Sequence, residues 1–501
     1  MENSDTRLSA GRAIWAGILG VVAALAVGHL VAGLLDGNAS PFLAVGNTAI
    51  DQTPAPVKDW AIATFGTADK AVLLSGMAVV LLGLAALAGL MSRRSPAPGT
   101  VLAVVVGGLG LIAVMVRPDL GQLAILAPLA SLFAGVGVFR LMHRLARPPL
   151  ESAERRRFLQ TSAGVVAGVG LAGLGGQLLG NRTDVDGSRA AIGTLTPAQP
   201  APQLPASADF VPRTPRFITS NRDFYRIDTA LSVPKVLAED WVLRVHGGVD
   251  KELTLRYEDI RRMPLVERTV TLACVSNEVG GDLISTSNFI GVPLKDVLAP
   301  AGVKPGADQL FSTSADGWTC GTPVADIMER GLLAIGMNGE PLPVEHGFPA
   351  RMVVPGLYGY VSATKWVVDM EFTRFADKSA YWLKRGWAER GPIKTQSRID
   401  TPKGTARAGK VTVAGVAWAQ TRGVTKVEVR ADGGEWIPAR LAAEVNLDTW
   451  RMWEAELDLA PGERTVECRA TDRTGYTQTN EIALPAPDGA TGWHSVTVSV
   501  S

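Results

Sequence analysis

Hydrophobicity in this chain is concentrated at one end, and that asymmetry limits what the chain can fold into more than any motif does. Hydrophobic residues fill 47 % of its 501 positions, and nearly all of the excess lies before residue 181. Four stretches there, roughly Ile14–Leu35, Ala71–Met91, Thr100–Val116 and Leu120–Met142, have the length and the scarcity of charge that a bilayer span needs. A fifth, weaker and Gly-rich, runs from about Ala163 to Leu179. Residues 1–181 are therefore expected to form an α-helical transmembrane bundle of about five helices.

Basic flanks set the expected topology. Arg7 and Arg12 precede the first span, Arg93 and Arg94 follow the second, and Arg140, Arg144, Arg147 and Arg155–Arg157 follow the fourth. Such segments belong in the cytoplasm. Counting across, everything after residue 181 falls on the extracytoplasmic side of the cell membrane. The run Glu154–Gln160 holds consecutive arginines, then Phe158-Leu159, then a modestly apolar stretch. That is the pattern of a twin-arginine signal, which exports proteins already folded. A positive-inside flank would account for the arginines but not for the Phe-Leu pair at that offset. No small-residue cleavage site follows, so the span is expected to remain as an anchor. His29 and His143, one mid-span and one at a cytoplasmic end, are poorly matched for a bis-imidazole haem. The bundle reads as an anchor or partner-docking module.

A net charge of +1 leaves no polyanion footprint and argues against nucleic acid as a partner. Three cysteines, Cys274, Cys320 and Cys468, cannot build a disulfide framework. Residues 182–215 are Pro- and Ala-rich without apolar periodicity and read as an extended linker. Short alternating strands follow, with helices expected at Tyr257–Met263, Leu294–Ala299 and Val324–Arg330, which gives an α+β domain over residues 216–385. Residues 386–501 read all-β. Lys410–Trp418 and Val424–Arg430 alternate, Asp432-Gly433-Gly434 turns the chain, and Trp450–Leu457 and Arg464–Ala470 add strands. This is immunoglobulin-like sandwich patterning, without the cysteine pair.

Within the α+β domain a single thiol stands out. Cys274 ends the alternating run Glu267–Ala273 and precedes a turn, Asn277-Glu-Val-Gly-Gly-Asp282. Around it, Ile218–Asp228, Trp241–Gly247, Leu272–Asn277, Gly291–Leu298, Gly336–Pro343, His346–Gly356 and Lys365-Trp366 follow in order. Taken together, these segments resemble the sulfite oxidase family of molybdopterin-dependent oxidoreductases, across about residues 216–490.

The resemblance implies a molybdenum–molybdopterin cofactor with Cys274 as the protein's metal ligand, a role that suits a soft thiolate. It implies that Asn221, Phe224, Tyr225 and Arg226 form a first wall of the cofactor site, joined by Thr313 on a strand. His346 and Arg351 flank a Gly-Phe-Pro turn, and Ala363, Thr364 and Lys365 supply the far edge. Arg351 and Lys365 are the phosphate candidates, because a buried anion needs charge-assisted bonds. Arg226 and Trp318 are expected beside Cys274 in the catalytic pocket. The last segment is similar to the family's dimerisation domain, which implies a homodimer.

Two departures bear on the substrate. Members that oxidise sulfite carry an arginine five residues after the metal cysteine, where this chain has Val279, and a tyrosine where it has Trp318. A site for a dianion should be rich in fixed positive charge. A pocket bounded by Trp318, Cys320 and apolar side chains suits a neutral or thioether-like substrate instead. The expected function is two-electron oxygen-atom transfer on a small, sulfur-containing molecule, with electrons passing to or from a cytochrome or quinone partner. The alternatives are a sulfoxide reductase-like direction and a non-catalytic scaffold that keeps the fold.

Overall fold

The computed structural model describes residues 7–65, 68–117, 120–147, 152–180 and 182–501; Asn181, where the sequence reading closes the membrane domain, lies outside the described residues. The chain divides into two units, Met1–Asp184 with Thr229–Val233, and Val185–Asp228 with Pro234–Ser501.

Ala10–Leu35, Asp69–Met91, Ala97–Met115 and Gln122–Leu145 in the first unit, and the stretch Ser152–Ile192 that runs past its end, are long and apolar enough to cross a membrane. The last of these contains the helix Ser152–Gly180. The connection expected between the first two spans is itself helical, as Pro41–Gln52 and Ala55–Phe65. Pro41 starts the first of these helices, a position where its missing N–H costs nothing. The long helices meet through small residues. A Cβ on Gly17 would lie 2.1 Å from the Ala85 carbonyl oxygen, one on Gly89 2.2 Å from that of Ala13, and one on Gly33 2.5 Å from that of Gly176. Such close backbone approach supplies the packing that lipid-immersed helices need in place of a hydrophobic drive. Large apolar side chains face outward, among them Val79, Phe133 and Leu171. His143 Nε2 lies 2.7 Å from the Ser92 carbonyl oxygen, and the His29 ring packs against Gly176.

The second unit corrects one expectation. Residues 185–215 are not a free linker. Val185–Ile192 is a helix, and Val185, Ile192 and Leu195 join the same core as Trp241 and Leu243. Arg189 secures the helix by donating to the Pro341 carbonyl at 2.8 Å and that of Leu342 at 2.9 Å. The Pro-rich stretch beyond is extended, as its composition requires, yet it is bonded down. Ala198 N–H donates to Leu265 and Glu267 N–H to Gln199, each at 2.8 Å. A few well-spaced apolar side chains are enough to bury an extended segment, and they leave no period to read.

The α+β domain contains two sheets. The first runs in the order Leu253–Arg256, Val242–Gly247, Val367–Thr373, Gln309–Ser314, Thr319–Pro323, with a parallel pair between Val242–Gly247 and Val367–Thr373. The second joins Val266–Ala273, Ile284–Pro293, Leu332–Met337 and Glu340–Pro341, and Arg351–Val353 also pairs with Leu332–Met337. Helices stand where the sequence placed them, at Tyr257–Arg261, Leu294–Leu298 and Val324–Arg330. A common core serves both sheets, with Leu243, Leu310 and Met370 meeting Phe289 and Ile335. Each such side chain contributes about 1.5–3 kcal/mol on burial.

After it come two more sheets. Gln396–Thr401, Gly409–Trp418, Arg451–Leu459 and Arg440–Leu441 form one. Thr405–Ala406, His494–Val500, Gly462–Asp472, Val424–Ala431 and Ile437–Pro438 form the other. Val413 and Trp453 from the first share a core with Val427, Val466 and Val498 from the second, so the sheets pack as a sandwich. Cys468 is fully buried within it.

Candidate active site

The strand Val266–Ala273 pairs along its whole length with Ile284–Pro293, from Val266 opposite Gly291 to Ala273 opposite Ile284. Pairing ends there, so Cys274 is the first residue of the loop. Its N–H donates to the Leu283 carbonyl at 2.9 Å, Asn277 N–H donates back to the Cys274 carbonyl at 3.1 Å, and Asn277 Oδ1 accepts from Leu283 N–H at 2.9 Å. Three short bonds thus hold a buried thiol at the mouth of the strand. Burial pushes the Cys274 thiol above its usual range, so a metal bound here displaces a proton.

Tyr225 lies near enough to Cys274 and Arg351 to sense both, and burial raises its hydroxyl so far that it remains a donor. A methyl on Gly359 would have Tyr225 Oη at 3.6 Å, the Ala273 carbonyl oxygen at 3.8 Å and Ala363 Cβ at 3.8 Å as its nearest atoms. These groups therefore face one shared space. Phe224 stacks on Tyr225 with ring centroids 5.4 Å apart and meets His346 edge-on at 5.5 Å. His346 is neutral, its pKa lowered to about 4 chiefly by burial, and it donates from Nε2 to the Asn221 carbonyl at 2.8 Å. The Asn221 side chain accepts from Asn338 Nδ2 at 2.9 Å and donates to the Met337 carbonyl at 3.3 Å and to the Glu340 carboxylate.

The cations are the most telling feature. Arg351 is 5 % exposed, and among the described residues its guanidinium donates one hydrogen bond, to the His346 carbonyl at 3.1 Å. Its Nε is buried with no partner, and burial pulls the group down to about 10. Lys365 Nζ lies 3.0 Å from Asp228 Oδ2, and burial lowers it to about 8 in spite of that carboxylate. Gly347, at φ +112°, lets the two close on one turn, since a Cβ there would sit 3.0 Å from Arg351 Cβ and 3.1 Å from Lys365 Cβ. Arg226 Nε binds the same Asp228 oxygen at 2.9 Å, while its side chain is 44 % exposed. Thr364 is fully buried and bonds Ser312 Oγ at 2.7 Å, and Thr313, next along that strand, stands opposite Asp369 and Thr319.

The sequence reading expects Trp318 and Cys320 at the pocket. Trp318 closes the turn Ser314–Trp318, and that turn meets the site through Asp316, whose carboxyl senses Lys365 and Asp228. The turn thus adjoins the lysine side of the site. Cys320 is fully buried under Thr364, with Sγ 3.5 Å from Thr322 Oγ1 and the thiol pushed up to about 11. It is a core thiol. Sequence reasoning missed Asp228, which holds both Arg226 and Lys365, and Asn338, which orders Asn221. Both stand inside the segments that carry the family resemblance, so the signal was present, but no residue-type argument singled them out.

Among the described residues no three His, Cys, Asp or Glu side chains converge as a metal cage. A metal at Cys274 must therefore bring most of its ligands with it, as a cofactor-borne metal does. The buried, unmatched guanidinium at Arg351 fits the anionic end of such a cofactor.

The comparisons with known proteins agree with this geometry. Residues 230–382 match the model of the oxidoreductase molybdopterin binding domain. The class is thus a molybdopterin-binding oxidoreductase. Human mitochondrial sulfite oxidase is 30 % identical over 366 residues, 61 % of this chain and 64 % of that protein. The uncharacterized oxidoreductase YuiH of Bacillus subtilis is 37 % identical over 152 residues, 30 % of this chain and 74 % of that protein. Among solved structures, the sulfane dehydrogenase SoxCD of Paracoccus pantotrophus superposes with a TM-score of 0.52 at 26 % identity, covering 60 % of this chain and 88 % of that one. The chain belongs to the sulfite oxidase family of molybdopterin-dependent oxidoreductases. It spans 64 % of the length of human sulfite oxidase.

Proposed function

We propose that this chain is a membrane-anchored, extracytoplasmic molybdenum-cofactor oxidoreductase acting on a small, sulfur-containing substrate that carries little charge. When bound, the cofactor supplies two-electron oxygen-atom transfer. Everything else is the work of the protein. Cys274 offers the thiolate that anchors the metal. Tyr225 directs a permanently protonated hydroxyl into the same space. Phe224 and His346 form the apolar wall that keeps water out, with Asn221 and Thr313 as polar edges. Arg351 and Lys365 receive the phosphate, assisted by the Ala363-Thr364 backbone, and Arg226, paired with Asp228 beside Lys365, is the more exposed cation.

The observation that carries this reading is the Arg351 guanidinium, nearly fully buried yet with an unpartnered Nε. A buried charge left unmatched costs several kcal/mol, and an anionic ligand removes that cost. The substrate class rests on Val279, where members that oxidise sulfite carry an arginine, and on Arg226, which is 44 % exposed and already paired with Asp228. Similarity to a sulfane dehydrogenase favours reduced sulfur over a dianion. The opposite direction, reduction of a sulfoxide, uses the same residues. The twin-arginine pattern supports export of a folded, loaded domain, and the five apolar helices support a membrane anchor. The final sandwich is read as immunoglobulin-like and as the surface of a homodimer, with a cytochrome or quinone system as electron partner.

The test is metal analysis of protein made with pterin synthesis intact, followed by turnover of sulfite, thiosulfate-like sulfanes, methionine sulfoxide and N-oxides. One molybdenum per chain is expected, and Cys274→Ser should lose activity while keeping its melting temperature. Metal-free wild-type protein would overturn the reading and favour a scaffold.

A further inference from the structure

The loop that follows Cys274 leans on the C-terminal sandwich. Gly280 has φ +80°, and a Cβ there would lie 2.2 Å from Cδ2 and 2.3 Å from Nε2 of His494. The edge of the imidazole therefore rests directly on the loop backbone. The ring is itself held, because Nδ1 accepts from Ile399 N–H at 2.9 Å. One residue further along the loop, the Gly281 carbonyl accepts from an Arg398 Nη at 2.8 Å, while Arg398 Nε donates to Asp400 at 2.8 Å. Arg398 and Ile399 belong to Gln396–Thr401 and His494 opens His494–Val500, so both sheets of the sandwich converge on this loop.

We propose that His494, together with Arg398, is a positioning residue for Cys274. By fixing Gly280 and Gly281, the sandwich sets where the thiol stands. The proposal rests on Cys274 being the metal ligand. Four internal hydrogen bonds, donated by the Cys274, Asn277, Gly281 and Leu283 N–H groups, close the loop, and such a loop opens locally at small cost unless something outside restrains it. A reactive group must be held to a fraction of an ångström to work well. Glycine is needed at 280 because a side chain there would collide with His494, while Arg398 reaches the 281 backbone through its carbonyl.

The experiment uses the full chain as wild type, His494→Ala and His494→Phe. In metal-free protein, hydrogen exchange is followed at the Asn277 and Leu283 amides, two of those that close the loop. In loaded protein, molybdenum per chain, kcat and KM are measured. His494→Ala should speed exchange at those two amides about tenfold, leave the amides of Val266–Ala273 unchanged, and lower kcat with KM little altered. His494→Phe keeps a ring against Gly280 and should restore most of both. Unchanged exchange in His494→Ala overturns the proposal. So does a rise spread evenly through the sandwich that His494→Phe fails to reverse, since that marks a structural role alone. Wild-type protein without molybdenum would overturn the ligand reading instead, and the exchange result would still decide whether His494 holds the loop.

Discussion

Arg351 is held in a state that its surroundings do not favour, and the consequence can be measured. The nearly buried guanidinium has an unpartnered Nε. Arg351→Met should therefore raise apo-protein stability by about 1–2 kcal/mol in chemical denaturation, while released pterin per chain falls at least about tenfold. Lys365 gives a second reading of the same pocket. Its pKa falls from 10.5 to about 8 on folding. Between those values the unfolded chain holds a proton that the folded chain has released, so stability rises with pH across that window. Below 8 the cost of burying the ammonium remains in full. Urea titrations at pH 8 and pH 10 should show wild type gaining about 1–3 kcal/mol that Lys365→Met does not gain. Cys274, Arg351 and Lys365 stand out in the sequence because their segments resemble a family. Asp228 does not, because a carboxylate in a polar motif looks like any solvated acid until two cations are seen converging on it.

At the scale of elements, alternation did most of the work. The cysteine strand, the strands of the sandwich and three short helices lie close to where periodicity put them. The helix Val185–Ile192 did not declare itself, since eight residues after a long apolar span carry too little pattern to separate from a linker. The cysteine strand is also bonded sideways. Thr271 N–H donates to the Asp448 carbonyl at 2.9 Å, and Thr271 Oγ1 accepts from Trp450 N–H at 2.8 Å. Thr271 also bonds Thr286 through its hydroxyl. Thr271→Val keeps the shape and strands the buried Trp450 N–H, so a loss of about 1–3 kcal/mol is expected in equilibrium unfolding. Thr271→Ser should recover most of it.

For the molecule as a whole, the hydropathy division at residue 181 was the most reliable sign in the sequence, and the division into two units follows it closely. What the sequence hid is that the catalytic unit begins at Val185 and not after the prolines. A chain started at Asp184 should yield protein with cooperative unfolding. One started at Arg216 loses the buried Ile192, Leu195 and Phe210, each worth about 1.5–3 kcal/mol, and should aggregate or melt broadly. Comparing the two by calorimetry checks the boundary. The sideways bonds of Thr271 carry one more consequence, and it concerns time. Trp450 lies 179 residues beyond Thr271 in the chain. A ribosome must have made most of the sandwich before the cysteine strand acquires its full set of partners. The strand that leads to Cys274 is thus fully bonded only once Trp450 has left the ribosome, long after its own residues have.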